Sequence, residues 1–184
     1  KLLRLLQANV HEIDGDRMDV NREAIKAERE GLAYVTQWWN PYFIEGEKTM
    51  AYEAYEQVGS VDYVIVPVGC GTILLGLYKG YEELVELQAL DKVPKIIASQ
   101  ACGYSKACEE LGAKKECVTK TKLADGVAVT DQPRRGQIIE AVKRTNGHGI
   151  IVEDEEIKES LVELRKLGFI VEPTSAVPYV ALKQ

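Results

Sequence analysis

Short apolar stretches rich in β-branched residues alternate with longer amphipathic stretches along this chain of 184 residues. The short stretches predict buried strands, and apolar residues at helical spacing predict helices that pack on them. The predicted strands are 9–13, 33–37, 63–68, 95–100, 116–119, 149–152 and 169–171. The predicted helices are 21–29, 47–58, 72–87, 105–111, 134–145, 154–167 and 174 onward. Because this alternation is typical of βα units, we expect a three-layer α/β fold, in which a largely parallel sheet carries helices on both faces.

The length of the chain favours a single α/β domain over residues 1–184, without an internal repeat or a linker. Both ends resemble interrupted helices. Residues 1–7 follow the pattern of an amphipathic helix that has no cap, and residues 177–184 stop inside an apolar helical run. We therefore expect the chain to be a fragment of a larger protein.

The net charge and the lengths of the apolar runs limit the kinds of molecule that this protein could bind. A formal net charge of −6 would repel a nucleic-acid backbone or an anionic membrane. The apolar runs are far shorter than the ~20 residues that span a bilayer. Residues 1–14 also lack the pattern of a secretory signal. These observations predict a cytoplasmic protein that binds neither nucleic acid nor membrane.

The cysteines are Cys70, Cys102, Cys108 and Cys117. They form no CxxC pair, and the chain has only two histidines that could join them at a metal. We therefore predict reduced, mostly buried thiols and no metal site.

A glycine loop stands between a predicted buried strand and a predicted apolar helix, at Gly69-Cys70-Gly71. Glycine lets a backbone turn sharply and approach an anion, and the free N–H groups of a helix start face negative charge. Thr72 is placed to cap the helix and to offer its hydroxyl to the same anion. The segment therefore predicts a phosphate site, with a plain strand-to-helix turn as the alternative.

Two familiar phosphate motifs do not match this loop. A Walker loop ends in Gly-Lys-Ser or Gly-Lys-Thr, whereas this segment continues as Gly76-Leu77-Tyr78. The dinucleotide motif GxGxxG fails because the next glycine after Gly71 is Gly76. A single phosphate group is the better fit.

Four segments resemble threonine synthases, and they occur in the same order. They are Asn40–Thr49, Asp62–Gly71, Ala124–Val129 followed by Pro133, and Val171–Ala176. The resemblance covers nearly the whole chain. It implies a pyridoxal-phosphate (PLP) enzyme of the tryptophan-synthase-β fold type, also named fold type II, that acts on an amino acid. It further implies that the full-length protein is a homodimer.

The resemblance assigns cofactor contacts to particular residues. Those implied to hold the cofactor phosphate are Gly69, Cys70, Gly71, Thr72 and Ile73. The hydroxyl of Thr174 is implied to face the pyridine nitrogen. A neutral hydroxyl does not hold the ring as a pyridinium, so elimination or replacement is favoured over transamination. The alternative for Thr174 is a simple helix N-cap, which is compatible with cofactor contact.

The family attaches PLP to a lysine that lies upstream of every segment matched here. Lys106 falls on a predicted helix where the family has surface residues, and Lys48 is interpreted as a helix-start residue. We therefore predict no catalytic residue in this chain. The lysine segment and the smaller domain are expected to be absent, and the fragment alone is expected to be inactive.

The positions that would bind the substrate depart from the family's pattern. Threonine synthases bind the phosphate of O-phosphohomoserine with polar residues, an arginine and an asparagine. The corresponding positions here are Gln37, Trp38, Phe43 and Cys70. Phe43 has no guanidinium that could pair with a phosphate. Conversion of O-phospho-L-homoserine and water to L-threonine and phosphate is the favoured reaction. A dehydratase, a β-replacement synthase and a non-catalytic phosphate- or nucleotide-binding module are the alternatives.

We expect the Trp38-Trp39 pair to be a buried aromatic anchor.

Overall fold

A computed structural model describes residues 1–15 and 17–184. These residues form two compact units, Lys1–Thr36 and Gln37–Gln184. The first unit contains helix α1 (Leu2–Leu5) and helix α2 (Arg17–Arg29). The last turn of α2 carries Lys26 and Arg29, whose positive charges favour the negative end of the helix dipole. The strand predicted at 9–13 is wrong, because these residues form no regular element.

The second unit is built on a parallel sheet of three strands in the order β1-β2-β3. The strands are β1 (Tyr63–Pro67), β2 (Lys95–Ala101) and β3 (Gly149–Val152). In register, Val66 lies opposite Ala98, and Ala101 lies opposite Val152. The predicted strands 63–68, 95–100 and 149–152 therefore coincide with the observed strands to within one residue.

Helices connect and cover these strands. They are α3 (Pro41–Glu47), α4 (Thr49–Val58), α5 (Thr72–Glu86), α6 (Lys106–Glu110), α7 (Arg135–Arg144), α8 (Asp154–Lys166) and α9 (Pro173–Leu182), with a 3₁₀ turn at Asp125–Val127. Most boundaries match the prediction to within one or two residues. The predicted helix 47–58 corresponds to α4, whereas α3 was not predicted. Asn40 caps α3 by accepting a hydrogen bond from the Tyr42 N–H at 2.9 Å.

The sheet has a separate apolar core on each face. One core joins the sheet to α5, α6 and α7, and it includes Val66, Ile96, Ala98, Leu74, Cys108 and Ile138. The other core joins the sheet to α8 and α9, and it includes Ala101, Val152, Ile157, Leu164, Val177 and Val180. The α/β prediction of three layers with helices on both faces is therefore confirmed.

Buried polar side chains hold the end of β1 in place. The amide of Gln100 donates to the Val68 carbonyl at 3.1 Å and accepts from the Cys108 N–H at 3.0 Å. The Ser99 carbonyl accepts a hydrogen bond from the Val68 N–H at 2.8 Å, and the Ser99 hydroxyl donates to the Val66 carbonyl at 3.0 Å. Because every one of these groups is buried, a change in the position of Val68 would leave them unpaired.

Strands predicted at 33–37, 116–119 and 169–171 are wrong, since these residues are irregular. Their apolar side chains satisfy the pattern for a strand but are largely exposed, as at Val118 (88%) and Ile170 (90%). A strand is stabilised by pairing with a neighbour and by burial, and sequence pattern alone supplies neither. No helix in the described part of the chain combines the length and the apolar character needed to cross a bilayer.

Cys102 and Cys117 form a disulfide, so the prediction that all four thiols are reduced is wrong for this pair. The loop after α6 folds back on the end of β2, where the Thr121 N–H donates to the Cys102 carbonyl at 2.9 Å. This return brings Cys117 within reach of Cys102, which is 15 residues earlier in the chain. Cys70 and Cys108 are free.

The close packing of α4 on α5 depends on Gly80. A Cβ at this position would collide with the Lys48 carbonyl and would lie 2.7 Å from the Ala51 Cβ. We expect Gly80→Ala to lower the free energy of unfolding by about 1–3 kcal/mol through overpacking. Gly136 in α7 has open space around it, so Gly136→Ala is expected to raise that free energy by up to about 1 kcal/mol. Urea denaturation of both variants checks this, and a Gly80→Ala variant as stable as Gly136→Ala would contradict the packing.

Candidate cofactor site

Free backbone N–H groups follow the end of β1. The Val68 N–H still pairs with the sheet, and the next amide to donate within the protein is that of Leu75, to the Gly71 carbonyl at 3.0 Å. None of the described residues accepts a hydrogen bond from the backbone N–H groups of residues 69–74. Because α5 begins at Thr72, these amides lie at the positive end of its dipole. Unpaired donors and this dipole together make a site for an anion.

Two glycines shape this loop. Gly71 has φ of 90° and ψ of 2°, which is the left-handed region, and a Cβ there would collide with the Ile138 side chain. At Gly69 a Cβ would lie 2.9 Å from the Gly126 carbonyl oxygen. Only glycine satisfies both the conformation and the contacts at Gly71. The loop is thereby packed between α7 and the 3₁₀ turn.

A cavity of about 320 Å³ opens in front of the loop. It is lined by Gln37, Phe43, Glu47, Pro67, Gly69, Cys70, Gly71, Thr72, Ile73, Gly126, Val127 and Thr174. All six residues that the sequence assigns to the cofactor are among them, although they come from two regions about a hundred residues apart in the chain. Their binding of a cofactor stays a prediction, and the structure shows that they share one cavity.

Thr174 presents a hydroxyl to this cavity from the first turn of α9. It is buried, and its Oγ1 accepts a hydrogen bond from the Gly126 N–H at 3.1 Å. Because Oγ1 acts as the acceptor in that bond, the hydroxyl hydrogen is free to be donated to a ligand. The N-cap of α9 is Glu172, so the alternative in which Thr174 is a simple N-cap is wrong.

Thr72 differs from its prediction in one respect. The N-cap of α5 is Gly71, and no side chain caps the helix. The Thr72 hydroxyl lies 3.4 Å from the Cys70 sulfur and is close enough to the Glu47 carboxyl to act on its pKa. Thr72 therefore has its hydroxyl in the cavity but does not cap α5.

Glu47 is a cavity residue that the sequence did not single out. It is the last residue of α3, and its Oε2 is buried with no hydrogen-bond partner in the described part of the chain. Burial raises the pKa of this carboxyl, while the Thr72 hydroxyl and the charge of Arg134 oppose the shift. A glutamate that follows an Asn-Pro helix start resembles an ordinary solvated helix charge, so the sequence carried no signal for its burial.

Arg134 holds the chain beside the cavity. Its guanidinium donates to the Trp38 carbonyl at 3.1 Å and to the Trp39 carbonyl at 2.9 Å. Trp38 is buried as predicted, but Trp39 is 53% exposed, so the prediction of a buried pair is wrong for Trp39. Arg134 is outside the cavity lining, which contains no lysine or arginine.

The two lysines considered above have other positions. Lys48 joins α3 to α4 and pairs with Glu45 and Glu83, each at 2.9 Å. Lys106 is the first residue of α6. Of the positions implied to choose the substrate, Gln37, Phe43 and Cys70 line the cavity and Trp38 does not.

Two features characterise the candidate site: a glycine loop at the carboxyl end of a parallel strand, and a neutral hydroxyl that a later helix contributes to the same cavity. The model of the family described as "Pyridoxal-phosphate dependent enzyme" matches residues 1–184. The chain belongs to this family. Pyridoxal phosphate is therefore the family's cofactor, as the sequence predicted.

Individual relatives agree with this assignment. Threonine synthase of Methanocaldococcus jannaschii is 29% identical over 184 residues, which cover 96% of this chain and 45% of that protein. L-threonine ammonia-lyase of Thermotoga maritima is 28% identical over 150 residues, covering 78% of this chain and 34% of that protein. The chain thus spans less than half the length of these relatives. The structure of maize serine racemase shares the fold, with a TM-score of 0.77 at 19% identity over 98% of this chain and 54% of that one.

Differences between the two free thiols provide a test of the cavity. Cys70 is partly exposed in the loop, whereas Cys108 is buried, and burial raises the pKa of the Cys108 thiol to about 12. We expect iodoacetamide at neutral pH to label Cys70 and to spare Cys108, and a phosphate compound bound in the loop to slow the labelling of Cys70. Peptide mass spectrometry measures both rates. Labelling of Cys70 that is unaffected by such a compound would contradict its position at the anion site.

Proposed function

We propose that this chain binds the phosphate group and the pyridine ring of pyridoxal phosphate in an enzyme that acts on an amino acid. The observation that carries the proposal is the shared cavity of the unpaired amides of residues 69–73 and the Thr174 hydroxyl. The amides are arranged for a small anion, and the hydroxyl is arranged for a neutral acceptor. Pyridoxal phosphate has both groups in one rigid molecule.

Each group of the chain has a separate task in this proposal. The loop amides bind and orient the phosphate, because they need no rearrangement to point at it. Thr174 donates its hydrogen to the ring nitrogen, and Gly126 keeps the Thr174 oxygen in place. When bound, pyridoxal phosphate withdraws electrons from the α-carbon of an amino acid. A neutral donor at the ring nitrogen limits this withdrawal, which favours elimination and replacement reactions.

Binding of pyridoxine phosphate tests the two contacts. This compound keeps the phosphate and the pyridine ring but lacks the aldehyde, so surface lysines cannot react with it. We expect Thr174→Val to weaken its affinity about tenfold, the equivalent of one hydrogen bond of about 1.4 kcal/mol, and Thr174→Ser to retain most of it. Gly71→Val, which places a side chain where Ile138 packs, is expected to abolish binding. Fluorescence titration measures the affinities.

Circular dichroism shows whether each variant is folded, and Gly136→Ala serves as a control outside the cavity. Unchanged affinity in a folded Thr174→Val variant would exclude the pyridine contact. Binding of a nucleotide in place of pyridoxine phosphate would favour the non-catalytic module.

The favoured reaction is conversion of O-phospho-L-homoserine and water to L-threonine and phosphate. It is supported by the resemblance of four ordered segments to threonine synthases and by the relative from M. jannaschii. We propose that a lysine-bearing segment and a smaller domain elsewhere in the enzyme complete the site, because no lysine lines the cavity. The residues in this chain alone would then bind the cofactor without turnover.

A dehydratase is the second candidate, and the cavity lining is the observation that favours it. Gln37, Phe43 and Cys70 bring no positive charge with which to bind the second phosphate of a phosphorylated substrate. An amino acid with a free hydroxyl needs no such charge. The ammonia-lyase relative from T. maritima is in accord with this candidate.

Product analysis of the enzyme that contains this chain separates the two reactions. A threonine synthase is expected to release inorganic phosphate from O-phospho-L-homoserine and to form threonine. A dehydratase is expected to release ammonia and a 2-oxo acid from threonine or serine and to leave O-phospho-L-homoserine intact. Turnover of either substrate by the chain alone would contradict the proposal that the lysine lies outside it.

A further inference from the structure

Glu47 is an unusual neighbour for an anion site, and its position follows from helix packing. α3 ends at Glu47 and crosses α5 at Gly76, where a Cβ would lie 2.7 Å from the Glu47 Cβ. This contact brings the carboxyl to the first turn of α5, beside Thr72. One carboxyl oxygen, Oε2, is closed off from water and has no partner among the described residues.

Few charged groups act on this carboxyl. On α3 and at its junction with α4, Glu45 and Lys48 pair with each other, and Lys48 also pairs with Glu83 of α5. Lys79 of α5 pairs with Glu45. Arg134, from the loop before α7, bonds to two carbonyls and acts on Glu47 only through its charge.

Within the cavity lining, Glu47 and Cys70 are the ionisable side chains. Oε2 of Glu47 has no partner among the described residues, and the hydroxyl that acts on the carboxyl is that of Thr72. An ionised Glu47 carboxylate and a bound dianion would repel each other in this cavity, whose lining contains no lysine or arginine.

We propose that Glu47 takes up one proton when a dianion binds in the loop, and that this proton reverses the hydrogen bond to Thr72. The inference rests on the proposed phosphate site. In the free protein the Thr72 hydroxyl is placed to donate to the ionised carboxylate. Once protonated, the carboxyl donates its hydrogen to the Thr72 oxygen, so the Thr72 hydrogen turns to the anion. The proton comes from solvent, and no other bond is made or broken.

This coupling makes anion affinity dependent on pH. The pKa of Glu47 is already raised by burial in the free protein, and a bound dianion raises it further. Affinity is therefore greatest at pH below the free-protein pKa. It falls by about tenfold for each pH unit between the free-protein pKa and the higher pKa of the complex.

Sulfate is the probe that tests the proposal, because it stays a dianion over the whole pH range of the experiment, whereas a phosphate ester titrates near pH ~6. Isothermal titration calorimetry from about pH 5 to about pH 8.5 gives the affinity. Buffers with different heats of ionisation give the number of protons taken up. We expect the wild-type affinity to fall as pH rises, with uptake approaching one proton.

Glu47→Gln keeps the shape of the side chain but cannot titrate. We expect this variant to bind sulfate with nearly constant affinity, without proton uptake, and about tenfold or more tightly than wild type at the alkaline end. Glu53→Gln is the matched control, because Glu53 is exposed on α4 and lies outside the cavity lining. It removes the same charge and is expected to behave as wild type.

The outcomes separate the inference from the proposed site. Sulfate binding that is independent of pH in wild type, or equally dependent on pH in wild type and Glu47→Gln, would overturn the role of Glu47 and leave the anion site intact. Absence of binding by wild type to both sulfate and pyridoxine phosphate at the acidic end would overturn the site, and the role of Glu47 with it.

Discussion

The site depends on the way the backbone leaves β1. Gln100 and Ser99 bind the peptide groups on either side of Val68, so the strand ends at a fixed point against the middle of the sheet. The chain then turns at Gly71, which has a left-handed backbone conformation. The Ile138 side chain of α7 occupies the space where a Cβ at Gly71 would lie. This geometry leaves six consecutive amides without a protein partner among the described residues. Unpaired amides near the interior cost free energy, and an anion bound there would compensate for that cost.

The lining of the proposed anion site contains no lysine or arginine, which suits this chain in two ways. Amide donors and a helix dipole bind a phosphate without adding charge to a protein whose formal net charge is −6. The side chains available for hydrogen bonding in the cavity then include hydroxyls and Glu47, which loses its negative charge when it is protonated. The same cavity therefore favours a cofactor with one phosphate and offers little to a second one. This is why the cofactor follows more directly from the structure than the substrate does.

Sequence reasoning predicted the parts of the structure that are determined locally. The strand before Gly69 and the helix after Gly71 were predicted because apolar periodicity and glycine placement act over a few residues. Thr174 was reached only through the resemblance of its segment to a known family. The partnerless oxygen of Glu47, the disulfide between Cys102 and Cys117, and the exposed stretch around Ile170 were missed. Each of these depends on which distant residues are neighbours, and a single sequence does not contain that information.

We propose that the amides of residues 69–73 receive an anion. Two-dimensional ¹H–¹⁵N NMR of the chain during a titration with pyridoxine phosphate tests this claim directly, because an amide proton shifts downfield when it donates to a phosphate oxygen. We predict that downfield shifts are concentrated in the Gly69–Ile73 loop, at ligand concentrations that leave the amides of α2 and α4 unchanged. Saturable binding that leaves the loop resonances in place would contradict it.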